Sequence, residues 1–239
     1  MDLPGVRLGA ALACRAMDED GMRELVERVV GRLDRRLADE DWVRAGPADD
    51  DFVAFVRERG EGLAFELGVD LTASDYGLSL NPSLGVRHTE VDRLARQFYG
   101  LPSGACQVGV GLADLLYRAG RGNGPPPRWI VRSPEEADAA VDLVHADLVE
   151  YGSPFLARFA TLDDVIAALE AMPRSQHDNG HLAIAYALGG RTAQAEVALA
   201  EFAAEAAGQP PFVAEQSQRF LRSFSAHFGR DDRAPADRE

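Results

Sequence analysis

His177 and His181 stand four residues apart in His177-Asp178-Asn179-Gly180-His181. On a helix that spacing turns both imidazoles toward one point, where a metal ion could sit. A hydrolytic zinc helix would also carry a Glu beside its first His as general base, and Asp178 stands there instead. Gly180 weakens the helix between the two rings, and Pro173 lies just upstream. The segment therefore reads as a helix start capped by Asp178 or Asn179, with His177 outside the helix. Metal ligands need a rigid mutual geometry that such a split denies them, so no metal site is expected.

Residues 81–88, Asn-Pro-Ser-Leu-Gly-Val-Arg-His, read as a loop that leaves a strand and delivers Arg87 and His88 just before a helix N-terminus. An Arg–His pair there could bind an anion, helped by the helix dipole. The alternative is a structural turn in which Arg87 pairs with a nearby acid. Asp49-Asp50-Asp51 concentrates negative charge before a strand. With no further oxygen ligands at a defined spacing it does not specify a cation site. It reads as a solvated loop that adds to a surface for a basic partner.

Other chemistry finds little purchase. There is no G-x-S-x-G elbow, and neither Cys14 nor Cys106 stands in a His-rich context. Gly109-Val110-Gly111 opens like a dinucleotide fingerprint, but Asp114 replaces the third glycine. The chain contains no lysine, which excludes Schiff-base chemistry and a Walker-type lysine. That absence leaves two sources open, the codon usage of a GC-rich genome or selection against lysine modification. Glu66, Asp70, His145 and Glu150 sit singly on periodic segments and read as members of solvated faces. No catalytic residue is assigned and no cofactor is expected.

The elements that must position these residues follow from composition and periodicity. With 46% apolar and 27% charged residues in 239, the chain has ordinary globular usage and enough length for a sizeable core. Its net charge of −14 repels nucleic-acid phosphate and anionic lipid, so neither is an expected partner. Two cysteines cannot build a disulfide framework and suit a reducing, cytoplasmic setting. Residues 8–14 faintly follow a lipoprotein cleavage box, but their apolar run is short and Asp2 stands where a basic residue should. No run reaches the roughly 18 apolar residues of a membrane span.

Residues 21–38 carry Met22, Leu25, Val26, Val29, Val30, Leu33 and Leu37 at helical steps. The period then changes to two. Trp42-Val43, residues 52–56, residues 63–71 and the Tyr76, Leu78, Leu80 alternation predict strands, joined by short turns as an antiparallel meander. A helix over residues 89–99, a strand over Cys106, Val108, Val110 and Leu112, and a short strand at residues 129–131 follow. From Ser133 onward every signal is helical: starts at Ser133-Pro134-Glu135-Glu136 and at Thr161 with Asp164, then breaks at Pro173, Gly189-Gly190 and residues 208–211. The expected fold is α+β, an antiparallel sheet covered by helices and followed by an all-helical C-terminal bundle. Residues 1–132 would form the sheet domain, with residues 21–38 and 89–99 covering one face. Residues 133–229 would form the helical subdomain, and residues 230–239 a disordered tail.

Residues 181–191, continued through Ala195, Leu199 and Phe202, resemble one tetratricopeptide-type helical hairpin. The leading helix, the meander and the segment up to His88 are similar in order and charge to small bacterial immunity proteins. Those are acidic cytoplasmic α+β proteins that bind and neutralise a toxin. The resemblance implies a protein-binding function and supplies no catalytic residue. The expected function is thus capture of a basic protein partner through an acidic surface, with Asp49, Asp50, Asp51, Arg87 and His88 as candidate contacts. Two other readings stay open: an enzyme with a pocket near Arg87 and His88, and a helical interaction scaffold. Oligomeric state is left open.

Overall fold

The computed structural model describes residues 19–46, 51–74, 77–101, 106–121, 129–173, 175–207 and 209–229. The fold is α+β, with helices around an antiparallel sheet and a helical C-terminal third. Helix α1 (Glu19–Ala38) buries Leu25, Val29, Val30, Leu33 and Leu37, the stripe its spacing predicts. Strands β1 (Val43–Arg44), β2 (Phe52–Glu58), β3 (Leu63–Ser74) and β4 (Gly77–His88) then pair in sequence order. Helix α2 (Thr89–Tyr99) leaves the end of β4. Beyond it come β5 (Val108–Gly111), helix α3 (Leu112–Arg118) and β6 (Ile130–Val131). The six-stranded sheet runs β1-β2-β3-β4-β5, and β6 pairs with another stretch of β4.

The register decides what each face presents. Leu67 lies opposite Phe55 and Leu84, and Val69 opposite Val53 and Pro82. Leu63, Phe65, Leu67, Val69, Leu71, Leu80, Leu84 and Val86 therefore share one face, and each is essentially inaccessible to water. They join α1 and helix α4 (Pro134–Asp147) in one continuous core. A π-helical segment, Leu148–Gly152, continues α4, and Gly152 lets the Leu84 side chain approach. Cover on this face thus includes α1, as expected, but α2 packs chiefly against later helices rather than on the sheet.

The expected loop over residues 81–88 is corrected: it is the second half of β4, paired with β3 along its whole length. Pro82 and Gly85 had signalled a turn. Leu80 donates its N–H to the Trp129 carbonyl, and the Val86 carbonyl accepts from Gln107 on the same side. Pro82, in phase with both, turns its nitrogen toward the gap between β6 and β5, where no ladder hydrogen bond is lost.

The helical third contains α5 (Ser153–Leu156), α6 (Leu162–Ala171), α7 (Gln176–Leu188), α8 (Thr192–Ala206) and α9 (Pro211–Phe228). Thr161 and Asp164 form the expected capping box at α6. At α7 the cap expectation is corrected. Ser175 is the N-cap and Asp178 completes a capping box, so His177 and His181 both lie inside the helix. Helices α7 and α8 form a close hairpin around a turn at Gly189-Gly190, with Ala185 and Ala195 buried.

Gly77 ties the β4–β6 pair to one residue type. Its φ is +119°, and a Cβ there would run into the Val131 carbonyl. Gly77→Ala is expected to destabilise the fold by about 1–3 kcal/mol. Amide exchange should show protection lost first at Leu80, whose N–H bonds across to Trp129.

Candidate functional site

The second face of the sheet has a different composition. Phe52, Ala54, Val56 and Glu58 of β2 lie on it, in register with Asp70, Gly68, Glu66 and Ala64 of β3. Asn81, Ser83, Gly85 and Arg87 of β4 continue those rows, and Gly109 and Gly111 of β5 extend two of them. Most of these residues are half-buried or exposed, in contrast to the core face. The glycines make a low floor. Phe52 lies over Gly68 and Cys106 over Gly85; a Cβ at Gly85 would strike the Cys106 side chain, and one at Gly68 would crowd the Phe52 ring. The floor opens into a basin of about 580 Å³ bordered by Glu66, Ser83, Cys106 and Asp114.

Charge on this face is one-sided. Glu58, Glu66 and Asp70 project from it and Asp114 stands at its rim; none of them takes part in an ion pair among the described residues. Arg87 is the only cation on the face among the described strand residues. Its guanidinium lies 3.7 Å from the carboxylate of Asp92 on α2, which Arg96 approaches at 3.2 Å. Asp92 is 2% exposed, so those arginines balance a buried charge rather than the open carboxylates.

His88 is committed as well. Its Nδ1 accepts from the Val91 amide at 3.4 Å as the N-cap of α2, and its own amide donates to Gln107 Oε1 at 2.6 Å. Burial lowers its pKa, with Glu90 opposing, so the ring is neutral and able to accept. Arg87 and His88 therefore adjoin one another as expected, but each is used inside the fold. Asp51 precedes β2, its carbonyl accepting from the Leu71 amide; Asp49 and Asp50 lie outside the described residues.

Cys106 sits where its thiolate is disfavoured. Burial, the neighbouring Glu66 charge and a hydrogen bond to Glu66 push its thiol up to about 12. His145, expected on a solvated face, is buried and meets Glu40 at 2.5 Å, joining α4 to the end of α1. Glu150 is exposed and pairs with Arg121 at 3.1 Å. The His177 and His181 rings touch edge to face, with centroids 4.3 Å apart. No cluster of three or more metal-binding side chains occurs among the described residues.

Sequence reasoning missed the glycine floor. Gly85 read as part of a loop and Gly109 and Gly111 as a failed fingerprint, whereas their common row emerges only from cross-strand register. Comparison with protein-family models, curated proteins and solved structures finds no match for this chain.

With Cys14 replaced by Ser, alkylation of Cys106 in the native protein at pH 8 should run more than about a hundredfold slower than that of a free thiol. Unfolding should restore the ordinary rate. Rapid native labelling would contradict the covered, protonated thiol.

Proposed function

We propose that this chain is a non-catalytic cytoplasmic protein that captures a basic protein partner on the polar face of its sheet, as immunity proteins capture toxins. The observation that carries the reading is the set Glu58, Glu66, Asp70 and Asp114, gathered on and beside one face without ion-pair partners among the described residues. The net charge of −14 extends that local field outward, so a cationic partner is steered in from a distance. Charge alone would give rate rather than affinity. Beside the carboxylates, Val43 (69% exposed) pairs with Val56 on the same face, and Phe52 lies at its margin. These supply apolar surface for a few desolvated contacts, which usually dominate binding energy. Of the floor glycines, Gly109 has no side chain over it, so a planar guanidinium can come close to the backbone there while Glu66 and Asp114 border the basin.

Asp49, Asp50 and Asp51, just ahead of β2 in the sequence, are proposed to add to the negative field near this face. An enzymatic use of the same basin has less support, because the Cys106 thiol is held protonated and Arg87 and His88 are already engaged.

Partners captured from the native host are expected to be basic. Their association rate should fall steeply with added salt, as charges beyond about 8 Å are screened at physiological ionic strength. Replacing Glu66, Asp70 and Asp114 together by Gln, Asn and Asn should slow association about tenfold while changing dissociation less. A salt-insensitive association rate, or a partner as acidic as this chain, would sink the proposal.

A further inference from the structure

Away from the sheet, the helical third is seated through an aromatic junction. Phe98 of α2 meets Phe220 and Phe224 of α9 at 5.7 and 6.2 Å. Tyr99 stacks between Phe220 at 4.6 Å and His177 of α7 at 5.1 Å, and His177 in turn touches His181. Gly180 allows the Tyr99 hydroxyl to sit directly on α7, where it has no hydrogen-bond partner among the described residues. His181 is only 2% exposed, whereas His177 is at the surface. Two imidazoles in ring contact, one of them sealed beneath an apolar cluster, cannot both carry charge without cost.

We propose that the His177–His181 pair makes the seating of α7 and α9 on α2 acid-labile, so that the helical third loosens as pH falls while the sheet persists. In the closed form burial, and then His177, lower the His181 pKa from 6.5 to about 3. Burial lowers that of His177 also. The opened form takes up these protons near the ordinary value and the closed form does not. The junction is therefore at full strength above pH 6.5 and weakens as pH falls from there toward 3. The open population rises up to about tenfold per pH unit for each proton taken up.

The charged groups around the pair do not cancel this. On α7, Asp178 attracts both protons, but its carboxylate is held by Ser175 at 2.7 Å and the effect is smaller than that of burial. Helix α2 presents Tyr99, whose phenol burial keeps neutral. From α8, Glu205 bonds to Asn179 at 3.0 Å, and Glu201 lies one turn earlier. On α9, Arg219 lies over Gly100, and His227 sits against Phe98. Acid also relieves the repulsion within a chain of net charge −14, which by itself would tighten the fold. Loosening confined to the helices runs against that trend and is distinguishable from general acid unfolding.

The test is amide hydrogen exchange on the full chain from pH 7.5 to 4.5, corrected for the intrinsic pH dependence of exchange. Peptides from α7 and α9 are expected to lose protection progressively below pH 6.5 while β3 and β4 stay protected. His181→Leu should leave a much flatter profile. His177→Gln, which alters the ring at the solvent edge of the pair and should still fold, should make the native profile shallower by removing one of the protons. Loss of sheet and helix protection together at one pH would overturn the proposal. So would a native pH dependence in His177→Gln, which decides the matter if His181→Leu does not fold.

Discussion

Twelve-residue strands β3 and β4 are paired from Leu63 opposite His88 to Ser74 opposite Gly77, and other elements take their position from that hairpin. A strand sends alternate side chains to opposite faces, so one register sorts the whole sheet. Leu63 through Leu71 and Leu80 through Val86 meet the helices with their branched side chains. The residues between them, Glu66, Gly68, Asp70, Ser83 and Gly85, are forced to the other side together. A slip of one residue would put Glu66 and Asp70 into the core, a cost of several kcal/mol for each buried charge. The apolar face thereby enforces the acidic one.

The same constraint explains why the acidic face is available for recognition. Several carboxylates elsewhere are paired: Asp142 with Arg32 and Arg36, Asp34 with Arg44, Asp163 with Arg191. Arg87 could have neutralised the sheet face, but it turns to the buried Asp92, which Arg96 also approaches. Satisfying one buried carboxylate thus leaves Glu66 and its neighbours uncompensated. The proposed function and the internal electrostatics are linked through that single arginine.

Much of the fold was legible because it is written in local signals. The α1 stripe, the turn before Leu63, the bounds of α2 and the Thr161–Asp164 box each depend on residues within a turn of one another. What was not legible depends on partners distant in sequence. Pro82 and Gly85 look like a turn until the gap between β6 and β5 and the covering Cys106 are in place. Gly180 and Pro173 argued against His177 in a helix, but Ser175 caps α7 and Gly180 is needed for the approach of Tyr99. Helix α3 was missed because Leu112 continued an alternating run. Of the candidate site, the negative field was visible in composition, whereas its placement on one sheet face required the register.

The central claim is that this acidic face, rather than net charge in general, receives a cationic partner. Titration of the isotope-labelled chain with an arginine-rich peptide at physiological salt tests it most directly, read as amide chemical-shift changes. The account predicts saturable shifts concentrated at Glu66, Gly68, Ser83, Gly85 and Gly109, and their loss when Glu66, Asp70 and Asp114 are neutralised. Non-saturating shifts scattered over the acidic residues of the helices, with the sheet face unmoved, would contradict it.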